Sequence, residues 1–155
     1  MDQGGIYEDG PPEQIFDNLQ KERTRQFIRH LKVLEFSITN KDFDFIGFNT
    51  QIEEFGRKHR ISQRIIYNIQ SYIEEMCVQI ILPKMKDSFD MLVTIEYSEE
   101  KDDADVVIRY NGDSFDPLQS DNELSLLLAK KASDSIVYRA DAEGKLHNRI
   151  DANIR

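Results

Sequence analysis

The sequence predicts an α+β fold: a two-layer α/β sandwich in which helices cover one face of a mixed, mainly antiparallel sheet. Three observations predict it. Residues 61–83 read ISQRIIYNIQSYIEEMCVQIILP, with Ile65, Ile66, Ile69, Tyr72, Ile73, Met76, Cys77, Ile80 and Ile81 at the 3.6-residue period of an amphipathic helix. Residues 91–97 (MLVTIEY) and 105–110 (DVVIRY) are β-branched and aromatic runs around an acidic turn, which is the pattern of a hairpin. The order strand, helix, helix, strand, strand, helix, strand, strand then gathers the helices on one side of the sheet.

Composition narrows the class. A chain of 155 residues with 39% hydrophobic content, nine Phe and six Tyr can build one core, while 32% charged residues give it a polar surface. The formal net charge of −9 repels phosphate backbones and anionic lipid, so nucleic-acid binding is not expected. No apolar run approaches the roughly 20 residues of a spanning helix, and MDQGGIYEDG lacks the regions of a signal peptide, which together predict a cytoplasmic chain without membrane insertion. The one cysteine, Cys77, sits on the apolar face of the central helix and excludes disulfide and zinc frameworks.

Taken in order, residues 1–12 hold three of the seven glycines and two of the four prolines, turns that flank a short extended piece at 6–8. Helices are expected from Pro12 and across 20–31, the latter basic with only Phe27, Ile28 and Leu31 as apolar contacts. A strand over 33–39 opens the main domain. A helix over 42–59 carries Phe43, Phe45, Ile46, Phe48, Ile52 and Phe55 at helical spacing, broken only by Gly47. The central helix has Ser62 as N-cap and Pro83 as terminator, and Asn68, Ser71, Glu75 and Gln79 form a polar stripe along its edge. After the hairpin and the loop NGDSFDPLQSDN, a helix over 123–132 is capped by Asp121 or Asn122, and a last hairpin joins 135–139 to 146–154 around Ala142-Glu143-Gly144. Met85, Phe89 and Met91 belong to the core. His30, His59 and His147 are isolated, with no metal-ligand spacing, and read as surface residues; the acidic turn 99–103 reads as a solvated hairpin tip.

Two resemblances follow. MDQGGIYEDGPPEQIF and KERTRQFI resemble the C-terminal end of the ATPase subunit of polar amino-acid ABC importers, across about the first 28 residues, with a departure at Leu19 where that family usually has proline. The resemblance implies that residues 1–32 are the tail of a longer subunit joined to a domain, 33–155, that ordinary importers lack. No G-x-x-x-x-G-K-[ST] loop occurs, so this chain does not itself carry that family's ATPase chemistry.

IEEMCVQII, VVIRYNGDSFDPL and ELSLLLAKKASDSIVYR resemble the nucleotide-binding boxes of the anti-sigma-factor and histidine-kinase ATPase group, across residues 34–154. That resemblance implies Glu75 as the base or water-positioning residue and Gln79 at the magnesium ligand, with Asn111, Gly112 and Ser125 completing a pocket for Mg-ATP. Each box departs where it would touch nucleotide. Gln79 stands for an asparagine, and magnesium tolerates little geometric error. Tyr110 stands at the aspartate that would accept from adenine, where a bulky phenol fills the pocket or stacks. Glu123-Leu124-Ser125-Leu126 has none of the glycines that let backbone approach phosphate.

The function expected is therefore a non-catalytic regulatory or interaction domain of the kinase-ATPase fold, attached to the ATP-binding subunit of an amino-acid importer and without a cofactor. Its partners would be a protein surface, the parent ATPase with its permease, or a second copy as a homodimer. The alternatives are a divergent ATP/Mg-binding module and a stand-alone anti-sigma-like switch.

Overall fold

In chain order the strands and helices are β1 (Leu31–Ile38), α1 (Phe45–Lys58), α2 (Gln63–Tyr72), β2 (Met91–Ser98), β3 (Asp103–Tyr110), α3 (Glu123–Lys131), β4 (Ser135–Ala140) and β5 (Asn148–Ile154). They come from a computed structural model that describes residues 31–86, 88–140 and 144–155. The expected tail strand and helices before Leu31, and most of the β4–β5 hairpin tip, lie outside the described residues.

The sheet order is β1-β2-β3-β5-β4. Every neighbouring pair is antiparallel, so the mixed sheet expected from sequence is corrected to a fully antiparallel one. β3 and β5 are joined by a crossover through α3 and β4, and nothing in their own residues specifies the direction of that pairing. Alternation sets the two faces. Val93, Ile95, Val106, Ile108, Ile150 and Ile154 turn inward and bury completely or nearly so. α1 lies on β1, and α2 lies on β3 and β5, which closes the core from one side. Each aliphatic side chain sealed there contributes about 1.5–3 kcal/mol of transfer free energy.

Local chemistry fixes the helix ends. The Asp44 carboxylate accepts from the Gly47 N–H at 2.9 Å, and Ser62 Oγ accepts from Ile65 N–H at 3.3 Å. α1 therefore begins at Phe45, with Gly47 inside its first turn: a Cβ there would collide with the Asp44 carboxylate. Gly47 is thus part of the cap and does not interrupt the helix. Gly56 serves packing, because a Cβ at that position would lie 2.6 Å from Ile66 Cγ1, and its absence lets α1 and α2 approach closely.

The central helix departs from the sequence reading in its second half. After Tyr72 the chain continues as a π-helix, Ile73–Ile81, and a 3₁₀ turn, Leu82–Lys84. The Leu82 N–H donates to Cys77 C=O, five residues back. Pro83 brings no N–H, and the Gln79 carbonyl is met from elsewhere: the Asn122 side-chain amide reaches it at 3.5 Å. A wound segment of this kind is rare and concentrates at functional sites. Leu31 is likewise corrected, from the end of a helix to the first residue of β1, where it pairs with Ser98. No helix among the described residues is long and apolar enough to cross a membrane.

Candidate functional site

The π-helical segment, the loop after β3 and the start of α3 meet at one end of the sandwich. α3 packs along the π segment and α2 with its small residues, Ser125 and Ala129, buried against them. Asn122 joins the two: its Oδ1 accepts from the Ser125 N–H at 3.2 Å, which caps α3, while its amide donates to Gln79. Gln79 and Ser125 are therefore brought into one neighbourhood, with the Gln79 side chain exposed and Ser125 buried. Glu75 is half-buried on the same segment.

Asn111 and Gly112 sit across the loop. Asn111 Oδ1 accepts from the Asp90 N–H at 3.0 Å and the Asn111 N–H donates to Asp90 C=O at 3.1 Å, so its carbonyl oxygen is engaged in fastening two loops together. Gly112 has φ +92°, a left-handed conformation suited to glycine, and its carbonyl contacts the His147 ring. Both residues line a hollow of about 220 Å³ floored by Met85 and Phe89. A larger groove of about 500 Å³ runs beside it past Ile80, Lys84 and Phe115, and carries Asp113, Asp116 and Asp121. Three carboxylates against one ammonium favour cationic over phosphorylated ligands.

Beneath the loop lies Tyr110. It is fully buried, its hydroxyl donates to Phe115 C=O at 3.3 Å, and its ring meets Phe115 at 5.5 Å between centroids. Burial first, then the neighbouring Tyr138 and Asp116, pushes its phenol well above the usual range. Asn148, buried and at the start of β5, donates to Tyr110 C=O and Asp113 C=O, each at 3.4 Å, and accepts from the Tyr138 hydroxyl at 2.6 Å. Tyr72 extends the aromatic group inward with a buried hydroxyl that has no hydrogen-bond partner among the described residues.

Sequence reasoning named Asn122 only as a cap candidate and did not find Asn148 or Tyr138, or a role for His147. Asn148 is the one polar residue among the inward positions of β5, and that break in the alternation was the available signal. His147, expected at the surface, is half-buried and contacts the loop. Cys77, expected in the core, is fully buried beside Met91 at 3.4 Å between sulfurs, and burial pushes its thiol up to about 12. Among the described residues no group of three or more His, Cys, Asp or Glu is placed to hold a metal ion.

The site and fold together define a small α+β domain with a hydrogen-bonded aromatic cluster beneath the loop after β3. No family model matches the sequence, and no curated protein matches it.

Proposed function

We propose that residues 31–155 form a non-catalytic interaction domain on a scaffold of the anti-sigma-factor and histidine-kinase ATPase type, in which the nucleotide pocket is plugged. Following the resemblance of its first 28 residues, the domain is attached to the ATP-binding subunit of an amino-acid importer and regulates it in cis or docks a protein onto it. One observation carries the reading: Tyr110, at the position where that family would anchor adenine, is sealed in the core and tied to Phe115. The acidic groove beside it and the engaged carbonyl of Asn111 act in the same direction.

The test is calorimetric titration of the chain with ATP and ADP, with and without magnesium. The expected result is no saturable heat and no thermal shift, with binding gained in the variant Tyr110→Asp/Glu123→Gly. Saturable binding by the unaltered chain that Glu75→Ala weakens would overturn it. That outcome would favour the second reading, a divergent Mg-ATP module, for which the half-buried Glu75 and the exposed Gln79, four residues apart on the π segment, are the supporting geometry.

A further inference from the structure

The helices cover one face of the sheet; over the other lies no described helix or strand. The chain enters that sheet at Leu31, the first residue of the edge strand β1. Leu31 lies opposite Ser98, and Ser98 opposite Asp103; the next outward rung is Val33, Glu96, Asp105 and Asn153, and the one after it Glu35, Thr94, Val107 and Asp151. Leu31, Glu96, Asp103 and Asp105 border a hollow of about 380 Å³ together with Lys101 and Arg149. Those two cations leave it acidic. Arg149 is paired with Asp151 at 2.8 Å, Lys101 shares its turn with Glu99 and Glu100, and Asp103 and Asp105 are bridged by the uncharged Asn153 amide at 3.2 and 2.9 Å. Val107, in the middle of this face, is only 9% exposed although the described helices pack on the opposite side.

We infer that this end of the face is the docking surface for residues 21–30 of the same chain. Thirty residues precede Leu31, and the ten nearest to it read KERTRQFIRH. In a chain of net charge −9 they carry four cations, Lys21, Arg23, Arg25 and Arg29, against one acid, Glu22. At helical spacing Phe27 and Ile28 adjoin Thr24, with Arg23 to one side and Lys21 and Arg25 to the other. An apolar strip between cations matches a surface on which Val33 and Val107 stand among Glu35, Glu96 and Asp105. Length matches as well. Ten helical residues rise about 15 Å, and the three strand spacings from β1 to β5 come to about 14 Å. The far boundary is set by charge: one rung beyond Val107, Arg109, Arg149 and Arg139 lie side by side and repel a basic segment.

A contact of this size is weak between separate molecules. Here its two halves are joined at Leu31, so closure is intramolecular, at an effective concentration in the millimolar range. The inference stands apart from the plugged pocket and from the resemblance of the first 28 residues.

The experiment is limited digestion of the full chain by trypsin, which cuts after Lys21, Arg23, Arg25 and Arg29, compared with a free peptide of residues 18–33 in the same buffer. At low salt, cleavage in this stretch is expected to be slower than in the peptide by about tenfold or more, since digestion follows the open population. The protection should not depend on chain concentration, and it should shrink near 1 M salt, where the Debye length falls to about 3 Å. Glu96→Gln/Asp105→Asn, checked for folding by circular dichroism, is expected to lose it. Arg25→Gln/Arg29→Gln, whose substitutions lie outside the described fold, is expected to lose it at Lys21 and Arg23. Cleavage at the peptide's rate, protection that survives both pairs of substitutions, or protection that grows with chain concentration, as when the segment seats on another copy, would each overturn the inference.

Discussion

On its inner side β3 sets Val106, Ile108 and Tyr110 against α2, all without exposed surface, while on its outer side Asp105, Val107 and Arg109 alternate charge with a single flush valine. One strand thus serves two surfaces with different rules. Inside, removing atoms leaves a void that close-packed neighbours fill only in part. Outside, each charged group keeps access to water and to other charges, so the cost of change is small and depends on what lies opposite. The difference separates the residues that hold the domain together from those free to be used by a partner.

The sharpest way to break that comparison is to shorten adjacent residues. Ile108→Ala is expected to destabilise by about 3 kcal/mol, within the usual range for a buried isoleucine, and Val107→Ala by about 1 kcal/mol or less. Equal losses in urea unfolding would erase the distinction. Asn148→Ala comes next, at about 2 kcal/mol, because it strands the buried carbonyl of Tyr110 and the hydroxyl of Tyr138. Amide exchange across the loop after β3 should accelerate in that variant and remain unchanged in β2.

The interior also carries a pH signature that the outer face lacks. Burial holds the Cys77 thiol protonated up to about 12, against an ordinary value of 9.0, so the unfolded chain loses this proton first. Its contribution to stability is complete below pH 9 and declines as pH rises toward 12, and the raised phenols of Tyr72 and Tyr110 act in the same sense. Denaturant midpoints should fall through this window, less steeply for Cys77→Ala; a flat profile contradicts the buried assignment. Smaller still, Tyr72→Phe removes a hydroxyl without a partner among the described residues and should leave stability unchanged or raise it by up to about 1 kcal/mol. Last, Arg139→Ala on the outer face should change the unfolding midpoint by no more than about 0.5 kcal/mol, since its ion pair with Asp151 is solvent-exposed.

What could be read in advance followed from local rules. Ser62 and one of the two caps named for α3, Asn122, do cap their helices, and the five strands fall close to where β-branched alternation puts them. The π winding was hidden because Ile73, Met76, Cys77, Ile80 and Ile81 satisfy a 3.6-residue period just as well; the hydrogen bond from Leu82 to Cys77 leaves no trace in hydrophobic pattern. Pairing direction depended on a crossover and was equally silent. In the candidate site, Tyr110 was legible as the end of the apolar alternation of β3, but the Asn148 network that fixes the loop above it joins positions more than thirty residues apart. Long-range polar partners of this kind carry no spacing rule.

Gly56 has a consequence for how such a domain can diverge. Any side chain there meets Ile66 Cγ1 and Cδ1, and Ile66 is itself sealed, at 3% exposure, with no solvent to swing into. Position 56 therefore cannot grow alone: a side chain there becomes tolerable only with shrinkage at 66, so growth at the first is tied to compensation at the second. In diverged copies of this domain, a side chain at the first position should be found together with a smaller residue at the second.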